Sequence, residues 1–285
     1  MSLTNQIGIL FGGGVLAKGY AHELARHGAR LVIVSRGKSA DELAAGIEQT
    51  DGTHAVSMHA DVSDFEQVGR VIRVTADKLK HIDFIVNGAG GNKIQDRAGN
   101  ELKPVVHCLD DFLNMDPQAV CRIMETNFDS KWYGVQHFAR YLEAEHRQGS
   151  VVNITSMAGL MPLTKVIGYS AAYAAVENLT RSFAYLLGVY NLARVNNIAV
   201  GFTCGDQNRQ LLYEKDGKTL TPRGQEIIDS TAQRRFLDPA EIAPAVHFLL
   251  DKEMSGAITG ATIRVDGGFG LVSLAGTGYA PRPTG

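Results

Sequence analysis

Three cysteines, one tryptophan and no long apolar run set the first limits on this 285-residue chain. Cys108, Cys121 and Cys204 are scattered and odd in number, which argues against a disulfide framework and against zinc spacing. They fit reduced thiols in a cytoplasmic protein. No apolar stretch approaches the ~18 residues that a membrane span needs. The opening MSLTNQIGILFGGG has neither a basic flank nor a small-residue cleavage site, so no signal peptide is expected. Charge of either sign is in short surplus: 28 Lys and Arg stand against 30 Asp and Glu, for a net −2. That balance gives no electrostatic footprint for nucleic acid or an anionic membrane. The nine histidines show no ligand spacing, so no metal is expected. Glycine, by contrast, is abundant at 31 residues, while the eight prolines are unexceptional. Such a composition belongs to a folded chain, not a disordered or collagen-like one.

Short β-branched runs alternate with longer helical patterns. Ile7–Phe11, Leu31–Val34, Ala55–His59, Phe84–Val86, Val151–Ile154, Val195–Val200 and Thr262–Val265 read as strands. Leu16–His27, Val120–Glu145 and Ala171–Tyr190 read as helices. Strands that are apolar without alternation are buried on both faces, as in a parallel sheet. The expected architecture is therefore α/β: one doubly wound, Rossmann-like domain over residues 1–270 with a parallel sheet of about seven strands, followed by a Gly- and Pro-bearing tail over residues 271–285. Two long loops, Asn87 to about Leu109 and Gly201 to about Arg223, leave the carboxyl ends of strands. Ligands of open α/β sheets bind there, so both loops are candidate substrate walls.

Gly12, Gly13 and Gly14 lie between the first strand and the first helix. Such a loop brings backbone N–H groups and a helix N-terminus to a pyrophosphate, although three glycines also suit a bare turn. Ser35-Arg36 closes the second strand where NAD enzymes usually carry an acid. A basic residue there accommodates a 2′-phosphate, so NADP is favoured over NAD. Asp61-Val62 follows the third strand, where an adenine edge would lie. Asn87-Gly88-Ala89-Gly90 follows the fourth, where small residues let backbone approach a cofactor.

The last of these segments resembles the NNAG motif of short-chain dehydrogenase/reductases. Ser156 precedes Tyr169 by the family's Ser–Tyr spacing, Asn127 in Thr126-Asn127-Phe128 matches the family's catalytic asparagine, and Val265-Asp266-Gly267-Gly268 resembles its C-terminal VDGG. The resemblance runs from Ile7 to about Gly270. It implies hydride exchange with a nicotinamide, with Tyr169 giving or taking a proton, Ser156 polarising the substrate oxygen and Asn127 kinking a helix and holding a water. Gly88-Ala89-Gly90-Gly91-Asn92, Pro162-Leu163-Thr164-Lys165 and Gln207-Asn208-Arg209 further resemble the D-mannonate oxidoreductase (fructuronate reductase-like) branch. That branch implies a sugar-acid substrate, with Asn92, Lys165, Gln207, Asn208 and Arg209 as candidate contacts. Family members are commonly dimers or tetramers, with Val120–Glu145 and Ala171–Tyr190 as the implied contact faces.

Two departures stand out. The family's Tyr-x-x-x-Lys reads Tyr169-Ser170-Ala171-Ala172-Tyr173 here, so a neutral phenol replaces an ammonium. Lys165 is the one alternative cation close in sequence, and the branch resemblance makes it a carboxylate ligand before a stand-in. Phe11 takes the place of the first loop glycine, where a ring would obstruct a pyrophosphate. Three readings remain open at this point: an NAD(P)-dependent oxidoreductase, a non-redox enzyme on the same fold, and a silent binding or assembly protein.

Overall fold

The computed structural model describes residues 3–52, 54–96, 98–205 and 209–271. The first half of the fold alternates β1 (Ile7–Phe11), α1 (Val15–Arg26), β2 (Arg30–Ser35), α2 (Ser39–Asp51), β3 (Ala55–His59), α3 (Phe65–Leu79) and β4 (Phe84–Asn87). The loop after β4 carries a two-rung antiparallel ladder, β5 (Ile94–Gln95) with β6 (Glu101–Leu102), and a short helix, α4 (Leu109–Leu113). Then come α5 (Pro117–Met124), a π-helical turn (Glu125–Asp129), α6 (Ser130–Ala144), β7 (Gly149–Ser156), α7 (Ile167–Val189) and β8 (Ala193–Val200). Short helices α8 (Arg209–Leu212), α9 (Pro222–Asp229), α10 (Ala243–Leu250) and α11 (Lys252–Ser255) lead to β9 (Thr262–Val265).

The main sheet has seven strands in the order β3-β2-β1-β4-β7-β8-β9, all parallel. This is the expected doubly wound arrangement, and the chain reverses direction across the sheet at β1 and β4. A crevice opens beyond the strand ends at that switch point. One apolar core packs α1, α2 and α10 on the first face, through residues such as Leu24, Ile47 and Val246. The second packs α3, α6 and α7 on the other, through Val71, Phe138 and Phe183. All seven sheet strands fall where the apolar runs lie, with β7 extending by two residues at both ends and β8 by two at its start.

The helix expected over Val120–Glu145 is interrupted. A π-helical turn separates α5 from α6, and its central Asn127 is fully buried. Sequence periodicity does not reveal such a bulge, because one extra residue shifts the face of the helix without leaving a break in composition.

A buried polar chain fixes α7 against the sheet. Asn87 Nδ2 donates to Asn153 Oδ1 (2.8 Å), and Asn153 Nδ2 donates to Thr180 Oγ1 (2.9 Å). Thr180 in turn donates to Asn197 Oδ1 (2.6 Å), and Asn197 Nδ2 to Glu177 Oε2 (3.0 Å). Thr155 closes the other Glu177 oxygen at 2.8 Å. Asn87, Asn153 and Asn197 are register partners on neighbouring strands. Asn87 Oδ1 alone in this series has no partner among the described residues. Connected buried networks of this kind favour one docking of helix on sheet. Here they set α7 relative to the end of β7, where the candidate catalytic hydroxyls lie.

Candidate active site

A cleft of about 510 Å³ lies beyond the ends of β1, β2, β3 and β4. Gly12, Gly13, Gly14, Ser35, Arg36, Asp61, Val62, Gly88 and Ala89 all line it, as the sequence predicts for a dinucleotide site. Gly12 has φ +129°, and a Cβ there would sit 2.7 Å from the Ala89 backbone nitrogen. Only glycine permits this meeting of the two loops. Gly14 is the N-cap of α1 and offers no side-chain cap, and no acid occupies the first turn. The leading N–H groups of the helix and its positive dipole end are thus left for an anion, which fits a pyrophosphate. Arg36 is well exposed on the rim of the cleft, with Nη1 3.8 Å from Asp61 Oδ2.

Two expectations about this cleft are corrected. Phe11 does not obstruct it. The residue is the last of β1, only 2% exposed, and its ring packs in the core with Ile9, Val34 and Ile85. Its carbonyl accepts hydrogen bonds from the Gly88 and Ala89 N–H groups instead. Strand alternation aims the Phe11 side chain at the helical layer behind the sheet, away from the crevice. Asn87 is likewise not a cleft residue. It is buried in the core, where it joins β4 to β7 as described above.

The candidate catalytic groups gather behind Gly90, a residue of the cleft wall. Ser156 ends β7, and its Oγ accepts from the Ala158 N–H (3.1 Å) in the 3₁₀ turn that follows. Gly159 lets that turn lie directly against the Tyr173 backbone, since a Cβ there would come within 2.7 Å of it. Tyr169 lies in the first turn of α7 and is half-buried. Burial raises its phenol pKa above the ordinary value, while hydrogen bonds from Ser156 and Tyr173 pull the other way. The two tyrosine rings meet edge to face, with centroids 4.7 Å apart. Tyr173 is buried, and burial together with its bond to Tyr169 pushes its own pKa well up. In that pair Tyr173 therefore holds its proton and gives a hydrogen bond to Tyr169.

Asn127 is the hub of the neighbouring loop. Its Oδ1 accepts from the Gly91 N–H (2.8 Å), and its Nδ2 donates to the carbonyls of Gly91 and Ile123 (2.9 Å each). One helical turn further, on α6, stands a residue that the sequence reading missed. Lys131 is fully buried, its ammonium donates to the Ala89 carbonyl, and it lies 5.7 Å from the centre of the Tyr173 ring. Gly90, which lines the cleft, shows how tightly these groups converge. A Cβ on Gly90 would meet the Tyr173 hydroxyl at 2.5 Å, Asn127 Oδ1 at 2.8 Å and Lys131 Nζ at 3.3 Å. Burial alone lowers the Lys131 pKa from 10.5 to about 7. The sequence signal was a lysine four residues after the π-turn asparagine, a helical spacing that puts both on one face.

The expected substrate contacts are more dispersed. Gln207 and Asn208 lie outside the described residues. Arg209 is taken up by the Gly217 carbonyl (3.1 Å) and by the face of Tyr213. Lys165 is exposed and acts on neither phenol, so it does not replace the missing family lysine. Its carbonyl accepts from the Val106 N–H (2.9 Å), which ties the two walls after β4 and β7 together. Asn92 is half-buried, its side-chain oxygen without a partner among the described residues. Lys93, not foreseen, lines the cleft.

Away from this site, Glu23, His27 and His247 bring ligand-type atoms within 4.8 Å of one another. The two imidazoles are stacked, with centroids 3.8 Å apart and planes 26° apart. Nitrogen lone pairs lie in the ring planes, so stacked rings direct them side by side and not toward one ion. Burial and the neighbouring His27 lower the His247 pKa, which suits a packed neutral ring.

Residues 14–270 match the family model described as enoyl-(acyl carrier protein) reductase. The chain belongs to the short-chain dehydrogenase/reductase family and is an NAD(P)-dependent oxidoreductase. It is 33% identical over 269 residues to the uncharacterized oxidoreductase UxuB of Bacillus subtilis, covering 94% of this chain and 96% of that one. It is 31% identical over 281 residues to an uncharacterized oxidoreductase of Haemophilus influenzae, covering 95% of each. Among solved structures, a protein from Haemophilus influenzae, described as a candidate D-mannonate oxidoreductase and holding NAD, superposes with a TM-score of 0.84. The two are 29% identical, over 95% of this chain and 97% of the other. Of the three readings of the sequence, this membership bears out the oxidoreductase.

Proposed function

We propose that the protein interconverts a hydroxyl and a ketone on a sugar acid or related polyol, with Tyr169 as the proton-transferring group. The observation that carries this reading is the Ser156–Tyr169 hydroxyl pair, joined by hydrogen bonding to Tyr173, whose hydroxyl packs against Gly90 in the wall of the dinucleotide-type cleft. When bound, the nicotinamide supplies or receives the hydride. In the reducing direction Tyr169 gives its proton to the substrate oxygen. Ser156 turns its hydroxyl to the same oxygen and stabilises the charge that develops there. In the oxidising direction the same two groups act in reverse, and Tyr169 must give up its own proton as it takes that of the alcohol. Asn127 holds the Gly91 backbone, and through it the loop that floors the cleft.

The sugar-acid class is supported by the likeness to the Haemophilus influenzae structure and by a cation in the cleft, Lys93. Arg36 supports NADP over NAD as the preferred form. The protein works in the cytoplasm as a homo-oligomer, a reading supported by three unpaired cysteines and by an apolar outer face on α7. Tyr185, Leu186 and Val189 are all exposed there. Among the described residues no helix is long and apolar enough to cross a membrane.

The test is NADPH consumption against a panel of keto sugar acids, the corresponding neutral ketoses and simple ketones. Turnover confined to the acids supports the substrate class. Equal or better turnover of the neutral sugars overturns it.

A further inference from the structure

The buried ammonium of Lys131 has no carboxylate partner among the described residues. It makes one close hydrogen bond, to the Ala89 carbonyl, with Ser130 Oγ at 3.5 Å. The titratable groups that face it come from α7: Tyr173, over whose ring it lies, and Tyr169 beyond that ring. A lysine in such a place costs stability and would be replaced by an apolar side chain if packing were its only duty. Its neighbours also form a connected series. Ser156 and Tyr173 both hydrogen-bond Tyr169, and the Tyr173 hydroxyl and Lys131 Nζ converge on the space that a Cβ on Gly90 would take, at 2.5 and 3.3 Å from it.

We propose that Lys131 is the proton reservoir of the active site, serving Tyr169 through the Tyr173 hydroxyl and so replacing the cation absent from position 173. The inference rests on the oxidoreductase reading with Tyr169 as proton donor. In the reducing direction, hydride adds to the carbonyl carbon while the substrate oxygen takes the Tyr169 proton. Tyr169 takes the Tyr173 proton, and Tyr173 takes one from the Lys131 ammonium. The series ends with both phenols neutral and Lys131 a neutral amine, which regains a proton from solvent. Oxidation runs the same transfers backward, and the proton leaving the alcohol comes to rest on Lys131. No phenolate has to persist in a buried site, which would be costly where both phenols resist ionisation. A reservoir is effective when its pKa lies near the working pH, and burial has brought Lys131 there.

Four variants test this: Lys131→Met, Tyr173→Phe, these two combined, and Lys131→Met combined with Tyr173→Lys, which moves the cation one place along the series. Rates are measured against pH in both directions, with cofactor affinity followed by NADPH fluorescence. Lys131→Met and Tyr173→Phe should each lower kcat by about 100-fold with cofactor affinity intact. Both should abolish the pH-rate limb near neutrality. Combining them should cost no more than either alone, because they break one series. The cation-moved variant should recover at least about a tenth of the lost rate. Wild-type rate and pH profile in Lys131→Met would overturn the proposal, as would multiplicative losses or a cation-moved variant as slow as Lys131→Met. Should Lys131→Met not fold, Tyr173→Phe and the cation-moved variant decide by the same criteria. Titration of the Lys131 side chain by NMR, with Lys131→Met to assign its signal, needs no turnover. Its midpoint should lie at about pH 7, and a midpoint at the ordinary lysine value counts against the role of Lys131 even if the substrate class is wrong.

Discussion

Lys131 pays for its position in stability, and the sign of the effect is fixed by its pKa. The folded value of about 7 lies below the ordinary 10.5. Between those two pH values the unfolded chain binds more protons, so stability rises with pH across that window. The burden is full below about pH 7 and fades toward about pH 10. Lys131→Met should therefore stabilise the fold, by on the order of 3 kcal/mol at about pH 6 and progressively less toward about pH 10. Urea unfolding at the two pH values measures this, and a uniform change would mean that Lys131 is not the titrating group. Phe11 gives the converse case. Its ring fills core space and shields no phosphate, so Phe11→Gly should cost about 3–5 kcal/mol and leave cofactor affinity no tighter. Tighter binding in that variant would put the ring back over the pyrophosphate.

At the scale of elements, the loops matter more than the strands. The Gly12 turn and the Ala89 backbone approach too closely for any side chain. Gly12→Ala should lose about 1–3 kcal/mol from the strained φ alone and weaken dinucleotide binding, both read from unfolding and fluorescence titrations. The seven strands were legible because a parallel sheet is written in uninterrupted β-branched runs, and the cleft was legible because its glycines fall at a strand-to-helix junction. The Ser156–Tyr169 pair was legible from spacing. The π-helical turn was legible only through the resemblance, which implies a kink at Asn127, and not from periodicity, since a bulge changes which face a residue takes without changing composition. For that reason the partnership of Lys131 with Tyr173 was also hidden, as the two lie on different helices and meet only through the packing of α6 beside α7. Asn87 was misread as a cofactor contact because its side chain faces the sheet interior, where Asn153 and Asn197 continue its row.

At the scale of the molecule, one end of the sheet carries the candidate site, and the cleft lies across its switch point. We propose that cofactor choice is set on the rim, where Arg36 Nη1 lies 3.8 Å from Asp61 Oδ2. Arg36→Asp should shift the preference from NADP toward NAD by about tenfold or more, measured by isothermal titration of both forms. Tighter NAD than NADP binding in the wild type would contradict the assignment. The central claim is that Tyr169, behind Gly90 of the cleft wall, moves the proton while the nicotinamide exchanges hydride. The most direct measurement is steady-state reduction of a keto sugar acid by NADPH in wild type and Tyr169→Phe, with cofactor affinity measured alongside. The account predicts turnover in the wild type, a loss of at least about 100-fold in the variant, and equal cofactor binding in both. Equal rates in the two proteins would contradict it.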